Sequence, residues 1–190
     1  MNTYQITEWC SHFVREHVVP GDLCIDATMG NGHDTLLLSR LAGSAGRVLA
    51  FDIQQAALDA TRKLLISRNA PDNTRLILDS HSHMASYADA ETVSCIMFNF
   101  GYLPSGDHSL ATCSETSIPA VLAGLDLLKP EGLMSLCIYS GGDTGFREKE
   151  DLLKLLKSLD CRKYLVIVSS YYNRPHHPPL PVLIRKLPER

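Results

Sequence analysis

Apolar positions follow two rhythms along the chain. Ile6, Trp9, Cys10, Phe13 and Val14 recur at helical spacing and stop at Pro20 and Gly21, which end the element. Beyond that point, short and nearly unbroken apolar runs alternate with amphipathic ones. "DLCIDA", "RVLAFD", "TRLILD", "VSCIMFNF" and "LMSLCIYS" read as strands, and residues 33–42, 55–68, 116–128 and 146–159 read as helices. Strands this continuously apolar are covered on both faces, as in a parallel sheet flanked by helices. The last two runs, "YLVIVSSYY" and "LPVLIRKL", are separated only by "NRPHHPP". That is too short for a helical crossover, so they are expected to pair antiparallel. The pattern predicts one doubly wound α/β domain over residues 1–190, with a mainly parallel seven-stranded sheet and a C-terminal antiparallel hairpin. The N-terminal helix occupies 1–19, and the hairpin loop at 172–181 is a candidate substrate contact.

Composition narrows this picture. With 190 residues, 45% of them apolar, the chain is long enough for one sizeable core and short for two. No apolar run approaches the roughly 18 residues of a membrane span, and "MNTYQITEWCSHFVREHV" lacks the layout of a signal peptide. A soluble cytoplasmic protein with no membrane partner is expected. The six cysteines form no C-x-x-C pair and read as core residues in a reducing compartment, with no metal site. Charge is uneven: residues 1–161 hold 12 Lys/Arg against 20 Asp/Glu, a net −8, while residues 162–190 hold six against one, a net +5. A basic end on an acidic body suits a local anion site, and a solvated tail gives the same count.

Ligands of such sheets bind beyond the carboxyl ends of the strands, near the switch point. The unusual residue clusters fall there: "DATMGNGHDT" after the first strand, "FDIQ" after the second, "DSHSH" after the third, "NFGYLP" after the fourth and "YSGGDTG" after the fifth. Two ligands compete for the glycine loop. A dinucleotide fingerprint wants a third glycine and brings a pyrophosphate to the helix N-terminus. Here Thr35 stands at that third position, and Asp26 and Asp34 would face a doubly anionic group, which is costly in a partly desolvated site. S-adenosylmethionine instead offers a sulfonium, an ammonium and a ribose diol. Acids beside the turn suit those cations, and Asp52, 20 residues after Gly32, suits the ribose hydroxyls.

"DATMGNGHDT", "FDIQQAAL", "DSH" and "FNFGYLPSGD", in this order, resemble the bacterial family labelled "putative rRNA methylases", which includes methyltransferases of the 5-aminomethyl-2-thiouridine at the tRNA wobble position. The resemblance runs from about Asp22 to Lys186. It implies a class I S-adenosylmethionine-dependent methyltransferase fold, that donor as cofactor, and tRNA as partner through its anticodon loop, with a homodimer admitted as the assembly. Matched by position, it carries over Asp26, Gly30, Asn31, Gly32, Asp34, Thr35, Asp52, Gln54, His81, Asn99, Gly101 and Tyr102; Thr28, Ile53 and Ser80 complete the expected donor set. Two places depart from the family pattern. After the fifth strand this chain reads Tyr139, Ser140, Gly141, Gly142 where the family has Y-x-G-H, and His176 and His177 stand where it has an amide before the paired prolines.

An amine attacks a methyl group only as the neutral base, so orientation of its lone pair is the main task. Asn99 is the candidate acceptor of the amine's N–H bonds, Tyr102 the wall that stacks on the base, and His81 a candidate proton acceptor beside loss of the proton to water. Tyr139, Asn173, Arg174, His176 and His177 are the expected substrate contacts, with Tyr171 and Tyr172 as further stacking surfaces. Three other readings stay open: a nicotinamide oxidoreductase, a non-catalytic nucleotide-binding or RNA-binding module, and a methyltransferase of another RNA or of a small-molecule amine.

Overall fold

The computed structural model describes residues 5–101, 112–139, 142–175 and 178–188, without the side chains of 142–144. The expected alternation is present. Helix α1 (Ile6–His17) leads into β1 (Leu23–Asp26), α2 (His33–Ala42), β2 (Arg47–Asp52), α3 (Gln55–Ser67), β3 (Thr74–Leu78), β4 (Val93–Phe100), α4 (Ser114–Leu127), β5 (Leu128–Ile138), α5 (Gly142–Ser158), β6 (Tyr164–Val168) and β7 (Leu180–Lys186). The seven strands form one sheet in the order β3-β2-β1-β4-β5-β7-β6. All pairs from β3 to β5 are parallel, and β7 lies antiparallel between β5 and β6. The switch point lies at β1, which pairs with both β2 and β4.

The inner strands alternate their side chains between two packed layers, while edge strand β6 leaves Leu165, Ile167 and Val168 exposed. Ile25, Ile96, Phe98, Phe100, Leu136 and Ile184 point into the core shared with α4 and α5. Cys24, Val48, Cys95, Met97, Leu133 and Leu183 point the other way, against Val14 of α1, Val18 just after it, and Leu38 and Ala42 of α2. Burial on both faces explains why the strands read as apolar runs rather than as an alternating pattern.

Three boundaries differ from the sequence reading. The segment after β3 forms a 3-10 helix, His81–Ser86, where a loop was expected; Ser80 caps it by accepting from Ser82 N. Strand β5 begins five residues earlier than its apolar run, because Leu128 pairs with Val93 before Lys129, Pro130, Glu131 and Gly132 bulge out and pairing resumes at Leu133 with Cys95. Strand β6 stops at Val168, short of the two tyrosines, although Ser169 N still donates to Pro181 O.

Candidate active site

The glycine loop is built around one buried acid. Asp26 ends β1, fully buried, and its carboxylate accepts from Thr35 Oγ1 at 2.6 Å and from Thr28 N at 3.2 Å. Those two bonds tie the end of the strand to the first turn of α2. Gly32 precedes that helix with φ +82°, and a Cβ there would lie 2.7–2.9 Å from Thr61 of α3, so only glycine allows both the turn and the approach. Thr61 also donates to Gly30 O at 3.2 Å, which fixes the loop from behind. Asn31 at its tip is exposed.

Two further acids stand beside the loop. Asp52, at the end of β2, accepts from Gly30 N at 3.0 Å and from Gln54 N at 2.9 Å. A carboxylate has about four acceptor sites, so capacity remains for ligand hydroxyls. Ile53 follows with its side chain in solvent. Asp34, in the first turn of α2, accepts from Asn99 Nδ2 at 2.6 Å. Asn99 N in turn donates to Thr28 Oγ1 at 2.7 Å, so the end of β4 is bonded to both the loop and the helix. The Asn99 amide thus presents Nδ2 to α2 and leaves Oδ1 as its acceptor.

Burial raises the pKa values of all three carboxylates. Burial pushes Asp26 up to about 7, reinforced by the charge of Asp34 and opposed by the Thr35 and Thr28 bonds. Burial also raises Asp34 and Asp52, against the Asn99 bond in one case and the Gln54 and Gly30 amides in the other. Such a site gains by taking up a cation, and a pyrophosphate would meet repulsion from all three acids.

The third strand end and β5 complete the rim. Asp79 accepts from Tyr87 Oη and pairs with His83 Nδ1, both at 2.8 Å, and these bonds hold its pKa low. The Ser80 hydroxyl shares a 2.8 Å bond with Ser82 Oγ. His81 is buried edge-on to Phe98 and Phe100, on the sheet face opposite Asn99; burial lowers its pKa, and its Nε2 is the one buried side-chain polar atom without a partner among the described residues. Gly101 adopts φ +153°, a conformation that favours glycine, and a Cβ there would meet the Tyr139 side chain at an ordinary contact distance of 3.7–3.8 Å. Tyr139 is 39% exposed, and burial of the remainder raises its phenol pKa. Asn173 and Arg174 are exposed on the loop between β6 and β7. Tyr102, His176 and His177 lie outside the described residues.

Two supporting groups carried no sequence signal. Glu148 of α5 is buried and accepts from Ser117 Oγ at 2.6 Å and Thr112 Oγ1 at 2.9 Å. Thr112 Oγ1 accepts from Gly101 N, and Thr112 N donates to Gly101 O, so a buried acid on α5 anchors the turn that follows Asn99. In sequence, Glu148 is one charge among several on an amphipathic helix. Thr61 is likewise a lone threonine on α3.

Comparison with known proteins places this geometry in a family. The model of the family described as "Putative rRNA methylase" matches residues 48–185. A chloroplastic tRNA (mnm(5)s(2)U34)-methyltransferase of Arabidopsis thaliana is 34% identical over 93% of this chain and 68% of its own length. Among solved structures, a "putative rRNA-methylase" from Clostridium thermocellum is 43% identical with a TM-score of 0.93, covering 96% of this chain and 98% of that one. A Streptococcus mutans methyltransferase in complex with SAH is 35% identical with a TM-score of 0.88, at the same coverage. The fold is shared nearly end to end with these two solved structures, and the chain belongs to the "Putative rRNA methylase" family.

Proposed function

We propose that this protein N-methylates the 5-aminomethyl group of (2-thio)uridine at the wobble position of tRNA. The coarser part is established by family and fold: the protein is a methyltransferase, and S-adenosylmethionine is its cofactor. The residues fit that donor. Three clustered carboxylates with raised pKa values suit a cationic ligand, and the orphaned Nε2 of His81 offers a hydrogen bond to a polar group on a ring. Asp52 would take the ribose hydroxyls with Ile53 and Gln54 beside them, and Asp26, Thr28, Gly30, Asn31, Gly32, Asp34 and Thr35 would surround the charged end. Ser80, His81 and Gly101 would close the adenine side. When bound, the donor supplies an electrophilic methyl group on sulfur.

The observation that carries the amine as acceptor is the fixed amide of Asn99. Its Nδ2 is committed to Asp34, and its backbone to Thr28, so Oδ1 is held in place as a hydrogen-bond acceptor at the carboxyl end of β4. An amine that donates to it presents its lone pair in a defined direction, and catalysis is then largely orientation. Tyr139, and by its place in the sequence Tyr102, would wall the nucleobase. His81 faces the core side of β4, away from Asn99, and burial keeps it neutral; it is assigned to the donor, and the amine's proton leaves to solvent. The resemblance to the wobble-uridine methyltransferase of Arabidopsis thaliana supports tRNA as the acceptor class. No helix among the described residues is long and apolar enough to cross a membrane, and we place the enzyme in the cytoplasm with its tRNA.

Mass spectrometry of tRNA nucleosides from cells with and without the gene tests this reading. The expected result is loss of one methyl on a wobble-uridine derivative in the deleted strain. An unchanged tRNA nucleoside profile contradicts it.

A further inference from the structure

Helix α1 does more than cover the sheet. On the face that it packs against, Asn99 pairs with Cys137 of β5, Cys137 pairs with Pro181 of β7, and Ser169 N donates to Pro181 O. Alternation places Asn99, Cys137 and Pro181 on the same side as Met97, Leu133 and Leu183, the layer of α1. With strands about 4.8 Å apart, Pro181 lies about 10 Å across the sheet from Asn99. Stacked nucleotides cover that distance in about three steps of ~3.4 Å, and splayed ones in fewer.

At that point Ile6, Trp9, Ser169, Ser170, Tyr171 and Pro181 enclose a cavity of about 170 Å³. This is well below the roughly 300–1,000 Å³ that holds a drug-sized ligand, so it admits one ring system rather than a second donor molecule. Two aromatic side chains, two aliphatic ones and two serines match a flat apolar ring with a polar edge. Trp9, the only tryptophan of the chain, is 38% exposed, and its ring meets that of Phe13 in a T-shaped pair with centroids 5.3 Å apart, which steadies it. Arg174 is exposed three residues beyond Tyr171, and a cation so near the slot in sequence favours a polyanion over an apolar peptide.

We propose that this slot takes an unpaired RNA base neighbouring the acceptor nucleotide, stacked by Trp9 and Tyr171 and met at its edge by Ser169 and Ser170. The proposal rests on the RNA-methyltransferase reading and adds a second base subsite, formed by the N-terminal helix. It predicts a preference for single-stranded RNA, because a paired base cannot enter a slot of this size.

Because Trp9 is the sole tryptophan, its emission is a local reporter. The test titrates the full-length protein, saturated with S-adenosylmethionine, with a dye-labelled anticodon stem-loop and with a fully paired duplex of equal length. Trp9 emission and RNA anisotropy are read together. The stem-loop is expected to quench Trp9 in step with the rise in anisotropy, and the duplex to leave it unchanged. Trp9→Ala should raise KM for the stem-loop about 5- to 100-fold, the range that stacking one base contributes, with donor Kd at the wild-type value; Trp9→Phe should recover most of the loss. RNA that binds and is methylated while emission and the KM of Trp9→Ala stay unchanged overturns the slot and leaves the enzyme reading intact. RNA that neither binds nor accepts a methyl overturns both. Quenching by an apolar peptide but not by the stem-loop assigns the slot to a protein partner and also overturns the proposal.

Discussion

The two halves of the sheet's carboxyl edge are built by opposite means. On the β1–β2 side, Asp26, Asp34 and Asp52 are each bonded to a backbone amide, a hydroxyl or a side-chain amide before any ligand arrives. On the β5–β7–β6 side, Tyr139, Tyr172, Asn173 and Arg174 are exposed, and the strands give way to a long loop. A small cation with fixed hydroxyls rewards polar groups that are already in place, because no ordering has to be done on binding. A flexible polyanion rewards rings and cations on a loop, which gain from stacking and counterion release. Asn99 stands at the seam, bonded to the first half and paired in the sheet with the second.

Substitutions can break this division. Asn99→Ala should have the largest effect, lowering kcat by about 100-fold through loss of lone-pair orientation, while KM for RNA and Kd for the donor change little; single-turnover kinetics separates these quantities. Asp52→Ala should weaken S-adenosylmethionine binding by about 10- to 100-fold, the cost of a hydrogen bond to a charged group at about 1.5–3 kcal/mol, and leave RNA affinity alone. Calorimetry of the folded variant at wild-type affinity would reduce Asp52 to a brace for Gly30 and Gln54.

The third prediction concerns pH. Asp26 has a folded pKa of about 7 against an ordinary 3.8, so between those values the folded state binds more protons than the unfolded chain. Its contribution to stability therefore falls as pH rises from about 4 to about 7, and the penalty is complete above that range. Donor-free Asp26→Asn should lose less thermal stability than wild type over this window, measured by calorimetry at matched ionic strength. Parallel profiles would mean that Asp26 is charged throughout.

The smallest effect is expected on the acceptor side. Arg174→Ala removes one exposed cation, which should flatten the slope of log affinity for tRNA against log salt by about 0.7 to 0.9 and leave donor affinity unchanged. A changed donor affinity would show that the loop closes over the donor instead.

What the sequence disclosed follows the same division. The glycine loop was legible because it is local: the acids and glycines of residues 26–35 lie within ten positions, and their spacing suits the turn that the fold displays. The parallel order to β5 and the closing antiparallel pair followed from burial and loop length. The remainder depends on contacts distant in sequence. Cys10, Trp9 and Ile6 read as one apolar helix stripe, yet α1 packs Val14 into the core and leaves Trp9 beside Pro181, 172 positions away. Pro130 and Gly132 read as loop and sit inside a bulged strand, because Leu128 pairs before them. His81 read as a candidate proton acceptor from its place after β3; only the pleat shows that it faces Phe98 and Phe100 rather than Asn99.

The central claim is that the methyl group goes to an amine on the wobble uridine. It is tested most directly by incubating the purified protein with methyl-labelled S-adenosylmethionine and tRNA that carries 5-aminomethyl-2-thiouridine, then digesting the tRNA and analysing its nucleosides by mass spectrometry. The account predicts one labelled methyl on the side-chain nitrogen of that nucleoside, formed faster as pH rises through the amine's pKa and absent with Asn99→Ala. Label on a ring atom, on ribosomal RNA offered in the same reaction, or on no nucleoside at all would contradict it.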